Sequence, residues 1–251
     1  MRYRIDLEYD GTDFWGWQIQ PGSRTVQGEV EAVLSRVLGG PVPVTGAGRT
    51  DRGCHAAGQV AHFDHDRPRP LKDLARALAA LLPEDIRLRA LTEAPAGFHA
   101  RYSATRRAYR YLIARRRSAF TRRLMWQLGE RLDLKSLRAA SACLAGEHDF
   151  RGFAVALEET TGSGRCRVER ADWDAAGGGY RFTIVADRFL TRMVRLLVGS
   201  LVEVGRGRLD PAAVGERLRR PSHDSRPAAA PAVGLCLAWV RYDGVNEVNG
   251  G

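Results

Sequence analysis

A chain of 251 residues can bury a core without staples, as one large domain or two of ordinary size. Its four cysteines, Cys54, Cys143, Cys166 and Cys236, include no C-x-x-C pair, which excludes a zinc knuckle and a secreted disulfide framework and favours a reducing cytoplasm. No apolar leader and no run of about 18 apolar residues is present, so a soluble protein is expected. A formal net charge of +10 points to a polyanionic partner, nucleic acid first.

In chain order, residues 2–9, RYRIDLEY, alternate as a half-buried strand. After the turn-rich DGTD and the aromatic FWGW, TVQGEVEAVLSRVLGG reads as a helix capped by Thr25 and stopped by Gly39-Gly40, with Val26, Val30, Val33, Val37 and Leu38 on one face. PVPVTG predicts a short strand, AGRTDRGCHAAG a loop, and QVAHFD another strand. Residues 71–82 repeat the helical period and end at Pro83, and IRLRALTE alternates again. The order β-α-β-β-α-β is that of a ferredoxin-like unit.

The second half follows a similar plan. RAYRYLIA predicts a strand, DLKSLRAASACLAG a capped helix, and CRVERADWD with YRFTIVAD two strands around the Gly177-Gly178-Gly179 turn. A helix from about Phe189 to Val204, a short one opened by Asp210-Pro211, and the strand GLCLAWVRY complete it. The expected fold is α+β: two ferredoxin-like, RRM-like halves, residues 1–102 and 103–251, with antiparallel sheets joined edge to edge around a central cleft.

The motif AGRTDRGCHAAGQVAHFD at 47–64 carries the chemistry. Arg49 and Arg52 flank Asp51, and Gly48 and Gly53 allow close backbone approach, as in a loop that presents a side chain to a ligand. Neighbouring guanidinium groups favour the ionised carboxylate that a nucleophile or base requires. His62 and His65, beside Asp64 and Asp66, invite a metal reading, but positions three apart on a strand face opposite ways, and no metal is expected. His55 reads as a packing or hydrogen-bonding residue. The glycines at 162–164 lack the spacing and lysine of a phosphate loop, and no G-x-S-x-G is present, so neither ATP use nor acyl chemistry is indicated.

Residues 101–131 hold ten arginines and one acid, Glu130. Within them Tyr109 and Tyr111 share a strand face; one reads as core, the other as a platform for an unstacked base. Arg195, in an otherwise apolar helix, needs an acceptor, and Asp51 is the nominated partner.

Together these pieces resemble the TruA family of tRNA pseudouridine synthases. The matching blocks are LEYDGTDFWGWQIQ at 7–20, AGRTDRGCHAAGQVAHFD at 47–64, FHARYSATRRAYRYLI at 98–113, GEHDFRGF at 146–153, FLTRMVRLLVGSLVEVG at 189–205 and APAVGLCLAWVRY at 230–242. TTGSGRCRVE at 160–169 matches only loosely, and Cys54 stands where an aliphatic residue is usual. The resemblance implies a cytoplasmic homodimer that isomerises uridine in the anticodon stem-loop of tRNA without cofactor or metal. It implies Asp51 as the catalytic aspartate, Arg49 holding open the space left by the flipped nucleotide, Tyr109 stacking on the target base and Arg195 pairing with Asp51. The rival readings are a non-catalytic RNA-binding or folding factor, and a metal-dependent nuclease using Asp51, Asp64 and Asp66.

Overall fold

The computed structural model describes residues 1–66, 70–155, 163–221 and 227–243. The loosely matching stretch at 160–169 is therefore described only from Ser163. The fold is mixed α/β with mostly antiparallel strand pairing, and it divides into two compact units: Met1–Thr105 with Cys236–Gly251, and Arg106–Leu235.

In the first unit, β1 (Arg2–Tyr9) is central to β4 (Ile86–Ala94) on one side and β3 (His55–Asp64) on the other, both antiparallel. The two-residue β2 (Thr45–Gly46) pairs with β3. The last strand, β9 (Leu235–Tyr242), joins β3 in parallel through His55↔Cys236 and Ala56↔Leu237. The division 1–102 and 103–251 thus differs from the structure chiefly in this strand, which returns to the first unit. Strand alternation reveals a strand, but it says nothing about which distant edge that strand will join.

Helix α1 (Val26–Leu38) starts where Thr25 accepts the Gly28 N–H and ends at Gly39 in the left-handed region, φ 79°. Its buried face is Val26, Val30, Val33, Leu34 and Leu38, so Leu34 takes the place expected for Val37. Helix α2 (Leu71–Leu81) buries Leu74 and Leu78. PVPVTG contributes only Thr45–Gly46 to the sheet, whereas β3 begins four residues before QVAHFD, inside the motif.

A ladder of rings fills one end of this unit. His62 is buried between Phe98 and His99, and His99 stacks on Tyr102. The His62 Nδ1 accepts the Ala100 N–H at 3.2 Å, and Tyr242 closes the cluster by donating to the Ala100 carbonyl at 2.7 Å. Asp64 is held by Arg2, at 2.9 and 2.7 Å. His62 and Asp64 are thereby committed to packing and cross-strand pairing rather than to ligation.

In the second unit, β5 (Ala104–Ala114), β8 (Gly179–Ala186), β7 (Arg165–Ala176) and β6 (Gly146–Asp149) follow one another, all antiparallel. Helix α3 (Leu134–Ala142) is capped by Asp133, which accepts the N–H groups of Lys135 and Ser136. It packs on β7, where the buried Trp173 indole donates to Ser141 at 3.0 Å. Helix α4 (Met193–Gly205) begins later than its apolar pattern suggests, because Arg192 adopts φ 61°, a left-handed conformation that cannot continue a right-handed turn. Helix α5 (Ala212–Arg219) follows Pro211, and the four-residue β6 adds an edge strand that the local sequence pattern does not reveal.

The turn after β1 lies directly on the 47–54 loop. A Cβ placed on Gly11 would sit 1.8 Å from the Cys54 carbonyl oxygen, and one on Gly16, itself at φ 98°, 2.7 Å from that of Thr50. Backbone meets backbone here, and only hydrogen fits between. Gly11→Ala should therefore lower stability by about 3 kcal/mol, read as the midpoint shift in chemical denaturation; a shift below about 0.5 kcal/mol would mean that the two segments part freely.

Burial lowers the pKa of His62 and of His99, and the positive charges of Arg2 and Arg101 act in the same direction on the latter. Each is then neutral in the fold and more readily protonated when unfolded, so stability is complete above the unfolded value near 6.5 and declines as pH falls below it. The urea midpoint should show this acid limb, and a His62→Asn/His99→Asn variant should flatten it; an unchanged limb would assign the pH dependence to other groups.

Candidate active site

The residues around Asp51 are fixed from both sides. Ala47 donates to the Val60 carbonyl at 2.7 Å, and the Gly48 carbonyl accepts from Gln59 Nε2 at 2.8 Å. Thr50 is buried; its hydroxyl lies 2.8 Å from the Tyr9 hydroxyl and its carbonyl accepts the Trp17 N–H at 3.0 Å. Past Asp51, a turn closes as Cys54 N–H donates to the Asp51 carbonyl at 3.0 Å, and Gly53 donates to Phe14 at 3.2 Å. Cys54 is 1 % exposed, while Asp51 itself is partly exposed. A carboxylate is thus carried on a backbone that has no freedom of its own.

His55 belongs to this scaffold. It is buried, and its Nδ1 lies 3.1 Å from the Gly11 nitrogen and 3.1 Å from Asp10 Oδ1, which also accepts the Thr12 N–H. The imidazole therefore bonds the start of β3 to the turn after β1. Trp17 and Phe14 are buried beneath that turn, with the Arg24 guanidinium 4.1 Å above the Phe14 ring.

The two flanking arginines do not pair with Asp51. Arg49 is exposed and makes no ion pair with a described residue, and the Arg52 guanidinium lies 3.7 Å over the half-exposed Trp15 ring. A Cβ at Gly48 would meet no described atom within 4 Å, whereas one at Gly58, later in the motif, would sit 2.7 Å from the Ala238 carbonyl oxygen.

Tyr109 and Arg195 belong to the second unit. Tyr109, on β5, is 8 % exposed, with Phe189 edge-on at 5.0 Å. Tyr111, two residues on, is buried as well: it is wholly enclosed, donates to the Pro231 carbonyl at 2.7 Å, and stands edge-on to Trp126. Arg195, on the second residue pair of α4, donates from Nε to the Ala230 carbonyl at 2.8 Å, and Ala230 N–H returns a bond to the Arg195 carbonyl at 2.9 Å. That carbonyl answers part of the need for an acceptor in an apolar helix. The left-handed Arg192 sets where α4 starts, and hence where Arg195 stands relative to its own helix end.

Sequence reasoning missed Tyr9, Gln59 and Thr50, the network behind the loop. The available signal was a glutamine in an otherwise apolar strand stretch, since a buried amide needs partners. Among the described residues, no group of three or more His, Cys, Asp or Glu could hold a metal, and no helix is long and apolar enough to cross a membrane.

A family model described as tRNA pseudouridine synthase matches residues 7–103 and 140–243, a span that contains the 47–54 loop and Arg195. The chain belongs to the tRNA pseudouridine synthase family. It is 42 % identical over 240 residues to tRNA pseudouridine synthase A of Chlorobaculum tepidum, covering 95 % of this chain and 97 % of that one. The corresponding protein of Moorella thermoacetica is 42 % identical over 243 residues, at 95 % and 98 % coverage. That of Bacillus subtilis is 38 % identical over 247 residues, at 97 % and 100 %. Family resemblance thus runs through both units rather than through the Asp51 motif alone.

The hydrogen bond between Tyr9 and Thr50 gives the site a direct test. Tyr9→Phe leaves a buried hydroxyl without its partner beside Asp51, a cost of about 1–3 kcal/mol. Isomer formation at saturating RNA should slow more than affinity weakens; equal losses in both would make Tyr9 a general stabiliser of the unit.

Proposed function

We propose that Asp51 carries the isomerisation of uridine to pseudouridine in tRNA, the activity that family membership gives this chain. The observation that supports the role most is the fixed backbone around it: Thr50 and Cys54 are buried on either side, and the partly exposed side chain between them is an acid. The reaction breaks the C1′–N1 bond, turns the uracil and joins C5 to C1′; the proton leaving C5 is balanced by one taken up at N1. Nothing is added overall, so one carboxylate acting as nucleophile or base is sufficient.

In this reading the target lies in the anticodon stem-loop, and the uridine is turned out of its stack, at a cost of a few kcal/mol. Tyr109 stacks on the everted base, Arg49 occupies the space it leaves, and Arg195 supplies positive charge to the reaction. Phe189 supports Tyr109 by holding its ring edge-on. The two units are ferredoxin-like halves, and the enzyme works in the cytoplasm as a homodimer without metal or cofactor.

The decisive assay is incubation of uridine-labelled tRNA with purified protein, with and without chelator, followed by nucleoside analysis. The C-linked isomer in intact RNA is expected. RNA cleavage that chelator suppresses would replace this reading with the nuclease, and binding without isomer formation would replace it with the RNA-folding factor. Tyr109→Leu should reduce turnover at least about ten-fold while tRNA affinity changes less, as expected of a group that stacks on the flipped base; equal effects on both would return Tyr109 to the core.

A further inference from the structure

Between β5 and α3 the chain runs ARRRSAFTRRLMWQLG, residues 114–129. Arg115, Arg116, Arg117, Arg122 and Arg123 lie within ten residues that contain no acid. The arginines are exposed, and Phe120 between them is 97 % exposed, more than any other large apolar residue described.

This is an ordered loop. Gln127 braces it from inside, accepting the Ser118 N–H at 2.7 Å and donating to Thr121 Oγ1 at 3.2 Å and to the Met125 carbonyl at 3.1 Å. Leu124 and Met125 both donate to the Thr121 carbonyl at 3.0 Å. The returning leg is bonded to β5, with Trp126 N–H on the Leu112 carbonyl and Ala114 N–H on the Trp126 carbonyl, both at 2.9 Å. Met125 and Leu128 are buried, so the loop had apolar contacts within reach, yet Phe120 points away from them.

Several surface arginines take carboxylate partners, Arg106 with Glu169, Arg165 with Glu147 and Arg170 with Asp172, whereas others, such as Arg36, Arg49 and Arg110, are scattered singly without one among the described residues. Arg115, Arg116, Arg117 and Arg122 make no ion pair with a described residue. Glu130, the nearest acid in sequence, is bonded to Arg206 instead. An exposed aromatic ring among unneutralised guanidinium groups offers the two contacts that unpaired RNA accepts, a stacking face and phosphate ligands.

We propose that this loop is a docking surface for unpaired nucleotides of the RNA substrate, with Arg115, Arg116 and Arg122 on phosphates and Phe120 stacked on a base. The inference rests on tRNA being the substrate. A second copy of the chain is the poorer occupant, because a two-fold contact sets a patch against itself and would oppose these cationic groups to one another.

The test is binding of fluorescently labelled tRNA to the full-length protein across a salt series, with folding checked by thermal melting. R115A/R116A/R122A should weaken affinity about ten-fold or more at moderate salt and lower the slope of log K against log salt by about two. The same number of changes at the ion-paired Arg76, Arg89 and Arg165 should change the slope less. Phe120→Ala should weaken affinity about five-fold with the slope retained, and the loss should appear in KM rather than kcat. Wild-type affinity and slope in the triple variant would overturn the inference. So would Phe120→Ala protein that sediments as a smaller species with tRNA affinity intact, which would make the loop an interface between copies. Wild-type protein that isomerises no uridine would instead sink the functional reading, and this inference with it.

Discussion

The structure of the first unit depends on a place where two stretches of backbone touch with no side chain between them. Gly11 and Gly16 let the turn after β1 lie against the carbonyls of Thr50 and Cys54. From that contact the rest follows: Trp17 and Phe14 exchange backbone hydrogen bonds with Thr50 and Gly53, His55 reaches back to Asp10 and Gly11, and Tyr9 meets Thr50. Asp51 stands within this interlocked pair, its residue partly exposed. Rigidity at such a position has chemical value, because a carboxylate that is already aimed loses little freedom when the substrate arrives.

Much of the fold was legible because it is written in local periodicity. RYRIDLEY alternates and is β1; Thr25 and Gly39 mark the ends of α1; Asp133 caps α3. What was not legible depends on distant partners or on single backbone angles. HAAG has no strand pattern, yet it is β3 because β1 and β9 supply hydrogen bonds on both sides. β9 joins the first unit through a pairing across most of the chain length, about which its own composition is silent. The start of α4 is set by one left-handed residue, Arg192, inside a pattern that otherwise reads as helix.

The same division applies to the site. The Asp51 loop was visible from its charged residue types, whereas the burial of both Tyr109 and Tyr111 depends on neighbours distant in sequence, Pro231 among them. The arginines beside Asp51 look in sequence like its ion-pair partners, but Arg52 lies on Trp15 and Arg49 faces outward. A formal net charge of +10 is likewise uneven in effect: many surface arginines are neutralised locally, whereas the loop around Phe120 keeps its charge outward. Attraction for a polyanion depends on such unneutralised groups more than on the total.

The proposed role of Asp51 is open to one direct measurement. Joining C5 to C1′ expels the hydrogen at C5, so tRNA carrying tritiated C5 uridine reports each turnover as released tritium. Asp51→Asn keeps the side chain's size while removing the anion, and the account predicts that release stops while tRNA affinity stays within a few fold. Release continuing at a comparable rate would contradict it, however securely the loop is held.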